Sequence, residues 1–203
     1  MENPNPLEVN LAAYSPGRFD RGAGAWREAV WTLTSLLLFR LCPLKLSGLK
    51  SAVLRLFGAR VGRGVVFKPN VRITFPWKLE LGDHVWLGEE CWILNLAPVT
   101  IEDHVCISQR AFLCTGSHDY ARPNFDLITK PVQVGRGAWI GAGTIICPGV
   151  EIGSHAVVTA GSVAVKNLAA YGVFQGNPAV WVRERVISRP GETPAIPPSP
   201  NEA

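Results

Sequence analysis

The chain carries four histidines, and the stretch around His118 is the one that reads as chemistry. It runs Cys114-Thr115-Gly116-Ser117-His118-Asp119-Tyr120, a histidine among small and polar residues. A neutral imidazole can take a proton from a hydroxyl as that oxygen attacks a carbonyl, then hand it to the leaving group. Asp119 is a candidate to orient the ring, although adjacent side chains of extended chain point apart. Cys114 is a candidate nucleophile for a covalent acyl intermediate. It also follows a core-patterned leucine, which favours a packed, inert thiol.

The elements that must position His118 are legible from a beat of six. Val61, Phe67, Ile73, Leu81, Leu87, Ile93, Ile101, Ile107, Leu113, Val134, Ile140, Ile146, Ile152 and Val158 are all aliphatic or Phe. Four residues after each comes a small or β-branched residue, with Trp77 as the exception. Glycine often follows the large residue, as at Gly62, Gly82, Gly88, Gly135, Gly141 and Gly153. Neither a helix nor a single strand has a period of six. A parallel β-helix does, with three short strands and three corners per coil and the aliphatic residues filling the prism. Glycine is expected to relieve the turns. The units at 73 and 93 carry two extra residues at one corner. After Leu113 the beat lapses until Val134, 21 residues later. That excess reads as an inserted arm of the kind that builds a binding face, with His118 at its base.

His84, His104 and His155 each hold the fourth place of a unit and should face outward. His84 and His104 are 20 residues apart, a spacing that would stack them on adjacent coils. They lack the paired spacing and third ligand of a zinc site, so no metal is expected.

Outside the repeats, residues 24–41 form an apolar helix that Pro43 should end, and Leu46 to Phe57 an amphipathic one. The apolar run is too short to span a bilayer. Nine Lys/Arg between residues 18 and 63 face only Asp20 and Glu28, in a chain of net charge +4. The helices therefore either cap the solenoid or touch an anionic membrane surface. Residues 1–22 read as polar and extended. Five cysteines without CxxC spacing, and no signal-peptide pattern, point to reduced thiols in the cytoplasm. The overall charge is too modest to imply nucleic acid. Residues 176–186, "GNPAVWVRERV", read as an exit turn and a short helix from about Pro178. Residues 189–203, with five prolines, read as a disordered tail.

The repeat over residues 61 to about 186, with "CTGSHDY", "WIGAGTIICPGVEIG" and "GNPAVWVRERV", resembles the hexapeptide-repeat acyltransferases. With "ITFPWKLELGDHVWLGE" and the N-terminal helices, it is similar to the colanic acid biosynthesis branch, near the nodulation, galactoside and maltose acetyltransferases. The resemblance implies an all-β fold, a left-handed parallel β-helix, against the usual crossover hand. It implies a homotrimer with sites between subunits, acetyl-CoA as donor, direct transfer and His118 as the catalytic base. It also implies acceptor contacts near Asn95, Asp119 and Trp139, although a corner Asn tolerating positive φ reads Asn95 equally well. Ala142 and Ala160 would meet the pantetheine arm, and Lys166 and Arg183 the nucleotide phosphates. Val165 and Val180 depart from relatives with Thr and Arg there.

The expected organisation is residues 1–58 as N-terminal extension and helices, 59–188 as the acetyltransferase domain and 189–203 as tail. The expected activity is O-acetylation of a sugar hydroxyl on an exopolysaccharide or glycolipid precursor, the acceptor being lipid-linked or nucleotide-linked. The alternatives are a free small-molecule acceptor, such as a xenobiotic or serine, and a non-catalytic scaffold. A scaffold has no need of a base beside a long loop.

Overall fold

The computed structural model describes residues 8–15, 17, 19–41, 46–189 and 191. The repeats wind into a left-handed parallel β-helix with three faces. The first face stacks Arg60–Val61, Leu79–Leu81, Val99–Ile101, Val132–Val134 and Glu151–Ile152. The second stacks Val66–Phe67, Trp86–Leu87, Cys106–Ile107, Trp139–Ile140, Val157–Val158 and Gly172–Gln175. The third stacks Arg72–Ile73, Trp92–Leu94, Phe112–Cys114, Ile145–Ile146 and Val163–Ala164.

Of the fourteen large beat positions, all but Val61 are buried. Each fully buried aliphatic side chain contributes about 1.5–3 kcal/mol. Successive coils therefore hold one another in register through one continuous core. Arg60 pairs with Glu80 and Glu80 with Thr100, whereas Thr100 pairs with Gln133 across the insertion. The arm thus leaves and rejoins the prism without shifting the strand ladder.

The glycines after the large residues do not relieve turns by adopting positive φ. A Cβ on Gly141 would lie 2.6 Å from the Ala160 nitrogen and 2.7 Å from the Val158 oxygen of the next coil. Close approach of neighbouring coils is what demands glycine there. The left-handed corner positions belong instead to other residues, among them His84, His104 and His155, with φ of 57–58°. His84 stacks on His104, with ring centroids 5.2 Å apart. His155 stacks on Tyr171 at 4.9 Å.

Two helices close the open end of the first coil. Helix α1 covers Ala25–Ser35 and continues as a π-helical segment, Leu36–Leu41. Helix α2 covers Ser47–Leu56. Trp31, Phe39 and Leu54 join the core cluster. The first coil has no coil beneath it, so its outer backbone groups need other partners. Trp31 Nε1 donates to the Ile73 carbonyl at 3.0 Å, and Asn70 N–H to the Phe39 carbonyl at 3.0 Å. Phe67 N–H donates to Ser47 Oγ at 3.0 Å. The helix stop read at Pro43 and nearly all of the Pro-rich tail lie outside the described residues.

The other end corrects an expectation. No helix starts at Pro178. Val180–Glu184 is a strand, antiparallel to Gly172–Gln175. The final coil leaves an open strand edge, and the β-branched Val180 and Val182 suit pairing against it. A tertiary opportunity outweighs local helix propensity here.

Candidate active site

The site begins where the chain leaves the third face at Cys114. Thr115 is buried and ties this corner down. Its hydroxyl donates to the Leu94 carbonyl at 2.8 Å and accepts from Ala97 N–H at 3.0 Å. Ser117, which the beat would place inside, is exposed. The chain has already turned into an antiparallel hairpin of Gly116–His118 with Leu127–Thr129. Asp119 N–H closes its tip onto the Asp126 carbonyl at 2.8 Å.

His118 is fixed on two sides. Its Nδ1 lies 2.8 Å from the Phe125 carbonyl oxygen. A carbonyl can only accept, so in the neutral ring the proton sits on Nδ1 and the Nε2 lone pair is left for chemistry. The Phe125 ring stacks beneath the imidazole, with centroids 4.4 Å apart and 11° between planes. Phe125 itself adopts φ of 52°, a costly conformation for a bulky residue. That backbone turn lets one residue offer both ring and carbonyl to His118.

Asp119 does not orient the imidazole. Its carboxylate accepts from Ala121 N–H at 3.1 Å and pairs with Arg122 at 3.3 Å. It shapes the hairpin tip, and the Phe125 carbonyl takes the orienting role. Asn95 corrects both readings made of it. It is fully buried, with no positive φ, and its amide bonds the Phe75 backbone, accepting from N–H at 2.9 Å and donating to C=O at 2.5 Å. It joins two coils at the corner with the extra residues, and its burial keeps it out of an acceptor's reach.

Cys114 is part-buried, and burial pushes its thiol above the usual range. Its Sγ donates to the Gly116 carbonyl at 3.0 Å. A protonated thiol committed to a carbonyl is a poor nucleophile. Burial raises Cys147 as well, and pushes the fully buried Cys91 to about 12. Among the described residues no group of three or more His, Cys, Asp or Glu is arranged to hold a metal ion.

Tyr14 and the segment around it were not legible as part of the site. Trp77 Nε1 donates to the Arg21 carbonyl at 2.6 Å, and Lys78 Nζ to the Asp20 and Leu96 carbonyls at 2.5 and 2.6 Å. These bonds lash the N-terminal segment to the corner from which the hairpin springs. Further back, Asn10 N–H donates to the Pro123 carbonyl at 2.9 Å. Tyr14 then meets His118 edge to face, with centroids 5.9 Å apart. The imidazole is therefore walled by Phe125 and Tyr14.

The remaining candidates stand elsewhere on the prism. Trp139 lies on the second face, half exposed, with Nε1 donating to Ser108 Oγ at 2.9 Å. Ala142 and Ala160 are exposed at the corner between the second and third faces. They lie on adjacent coils, joined by a bond from Gly161 N–H to the Ala142 carbonyl at 2.8 Å. Ala142 lines an open groove of about 510 Å³ with Glu89, Glu90, Gln109, Arg110 and Gly143. Lys166 is exposed just past Val163–Ala164, and Arg183 is exposed on the terminal strand. His118 springs from the corner between the third and first faces. One chain therefore does not bring His118 together with Trp139, Ala142 or Ala160.

Comparison with known proteins fits this geometry. Residues 131–164 match the family model for bacterial transferase hexapeptide repeats. The Escherichia coli protein WcaF, whose name assigns it to acetyl transfer in colanic acid biosynthesis, is 41% identical over 177 residues, 87% of this chain and 97% of its own. Nodulation protein L of Rhizobium leguminosarum is 38% identical over 122 residues, 59% of this chain and 64% of its own. A hexapeptide-repeat acetyltransferase of Vibrio cholerae, solved with acetyl coenzyme A, superposes with a TM-score of 0.73 at 27% identity, covering 86% of this chain and 97% of that one.

Proposed function

The chain belongs to the hexapeptide-repeat acetyltransferases, and from that premise we propose that it moves the acetyl group of acetyl-CoA to a sugar hydroxyl, with His118 as general base. The observation that carries the reading is the bond from His118 Nδ1 to the Phe125 carbonyl, which leaves Nε2 as the proton acceptor.

Nε2 takes the hydroxyl proton as the sugar oxygen attacks the thioester carbonyl carbon. The tetrahedral intermediate collapses with cleavage of the carbon–sulfur bond. The imidazolium returns its proton to the departing thiolate. The products are an O-acetyl sugar and free coenzyme A, and His118 is restored. No acyl-enzyme is needed, in keeping with the protonated Cys114.

The placement of the parts supports a homotrimer. His118 stands at one corner, while Trp139, Ala142 and Ala160 stand on the second face and the corner beyond it. Packing of prism faces about a three-fold axis would bring one subunit's hairpin to another's groove. In this arrangement Ala142 and Ala160 border the pantetheine arm, and Lys166 and Arg183 meet the phosphates. The exposed, aliphatic Val165 and Val180 supply no polar group to the donor. Trp139 offers an apolar platform for a sugar ring. The likeness to WcaF, named for colanic acid biosynthesis, supports an exopolysaccharide precursor as acceptor, lipid-linked or nucleotide-linked. The donor and the reduced thiols suit the cytoplasm.

The test is turnover of labelled acetyl-CoA with a panel of lipid-linked and free sugars, followed by mass spectrometry of the product. An acetyl ester on a sugar oxygen is expected. Acetylation of amines only, or no turnover with any sugar, would refute the assignment.

A further inference from the structure

The cap helices are apolar on both sides. Inward, they bury Trp31, Phe39 and Leu54 against the first coil. Outward, α1 and its π-helical continuation expose Trp26, Leu33, Leu36 and Leu37, ending at the exposed Arg40. These positions recur at helical spacing, so they form one stripe. Helix α2 exposes Leu49, Ala52 and Leu56 in the same pattern, three and four residues apart. Trp26 and Leu56 are each 80% exposed. A helix on the surface of a soluble protein ordinarily turns charged residues outward. Two adjacent helices with apolar outer stripes mark a surface that is covered in use.

We propose that this cap is a docking surface for an anionic lipid bilayer, with the stripes of α1 and α2 lying in the interface. Three observations choose a bilayer over a protein partner. No described helix is long and apolar enough to cross a membrane, so the contact is superficial. The helices expose the cations Arg27, Arg40 and Arg55, whereas Lys50 is buried and Arg60 and Arg63 pair with Glu80 and Asp83 on the prism. Glu28, the one acid of the two helices, is neutralised by Arg21, so the exposed cations of the helices have no acid beside them on α1 or α2. Exposed apolar stripes flanked by cations are the composition of an interfacial helix.

The geometry also makes the contact useful. The cap covers the first coil, and the His118 hairpin leaves the third. At the strand spacing of a sheet, two coils are roughly 10 Å. A bilayer against the cap would thus hold the imidazole within reach of sugars attached to a lipid headgroup. The docking surface stands on the helix faces alone and does not depend on the acceptor assignment.

The experiment floats the full chain with vesicles of phosphatidylcholine, with and without about 30% phosphatidylglycerol. The protein should rise with the anionic vesicles, and less of it at high salt. Leu33→Gln combined with Leu37→Gln should lower vesicle binding about tenfold or more, while thermal midpoint and acetyl-CoA turnover stay at wild-type values. No flotation of folded protein with either vesicle would overturn the proposal. So would loss, through the same two substitutions, of a self-associated species in a protein that ignores vesicles, because the stripes would then cover a second copy. Failure of sugar acetylation alongside intact flotation would count only against the acceptor.

Discussion

The ring of Phe125 lies 4.4 Å beneath the imidazole of His118, and the carbonyl of the same Phe125 holds Nδ1 at 2.8 Å. One residue in a left-handed turn thus fixes both the plane and the tautomer of the proposed base. Catalytic histidines commonly receive that service from a carboxylate. Here the adjacent Asp119 is turned away to Arg122, and a backbone oxygen does the orienting.

Replacing His118 by Ala should lower kcat by about 10²–10⁴, the usual worth of general-base catalysis. Thermal midpoint and acetyl-CoA affinity should hold, because the ring is only part-buried and lies outside the prism. Activity within about threefold of wild type would remove His118 from the mechanism. In parallel, Cys114→Ala should keep most activity. Burial raises this thiol, so its thiolate fraction at neutral pH falls below that of a free cysteine. An acetyl group trapped on Cys114 by rapid quench would establish a covalent route instead.

Phe125→Ala keeps the carbonyl but removes the ring that supports the imidazole. We expect kcat to fall about tenfold with little change in KM for acetyl-CoA, as for loss of positioning in the transition state. Phe125→Tyr should restore most of the rate, since it rebuilds the stacked face. A general loss of stability with kcat preserved in the surviving fraction would show the ring to be merely structural.

Gly141→Ala tests why the repeat carries glycine at all. The new Cβ would press on the Ala160 nitrogen at 2.6 Å, where backbone cannot yield cheaply. We expect a cost of about 1–3 kcal/mol, read as a lower denaturation midpoint. Gly143→Ala makes a useful contrast. Its Cβ would meet nothing within 4 Å, but its φ of 65° disfavours a side chain. Equal stability of wild type and Gly141→Ala would show that the coils can spread.

The solenoid was legible because one physical requirement repeats at every sixth residue. A large residue must fill the prism, and a small one must fit beside each corner. His118 stood out as a candidate because a lapse in that beat isolates it. Phe125 was hidden because its role rests on a backbone turn that local sequence does not announce. Tyr14 reaches His118 from far along the chain, along a path held by the bonds of Trp77 and Lys78 to Arg21 and Asp20 and of Asn10 to Pro123. Asn95 misled because an asparagine that grips a ligand and one that grips buried backbone have the same local signature. The terminal strand misled because its partner, the open edge of the last coil, exists only in three dimensions.

His118 stands at the corner between the third and first faces, and Ala142 at the corner between the second and third. If one site needs both, they must come from different subunits. Ala142→Trp would fill the groove of its own corner without touching the core, because Ala142 is exposed. His118→Ala alone and Ala142→Trp alone should both be inactive. Co-expressed with different tags and purified as mixed assemblies, they should regain activity. In every trimer that carries both variants, one of the three shared sites pairs an intact His118 with an intact Ala142, about a third of the sites. Recovered activity near that fraction, with light scattering at the mass of three chains, is the expected outcome. Mixed assemblies that stay inactive, or a monomer with full activity, would place the complete site within one chain and rule out the shared one.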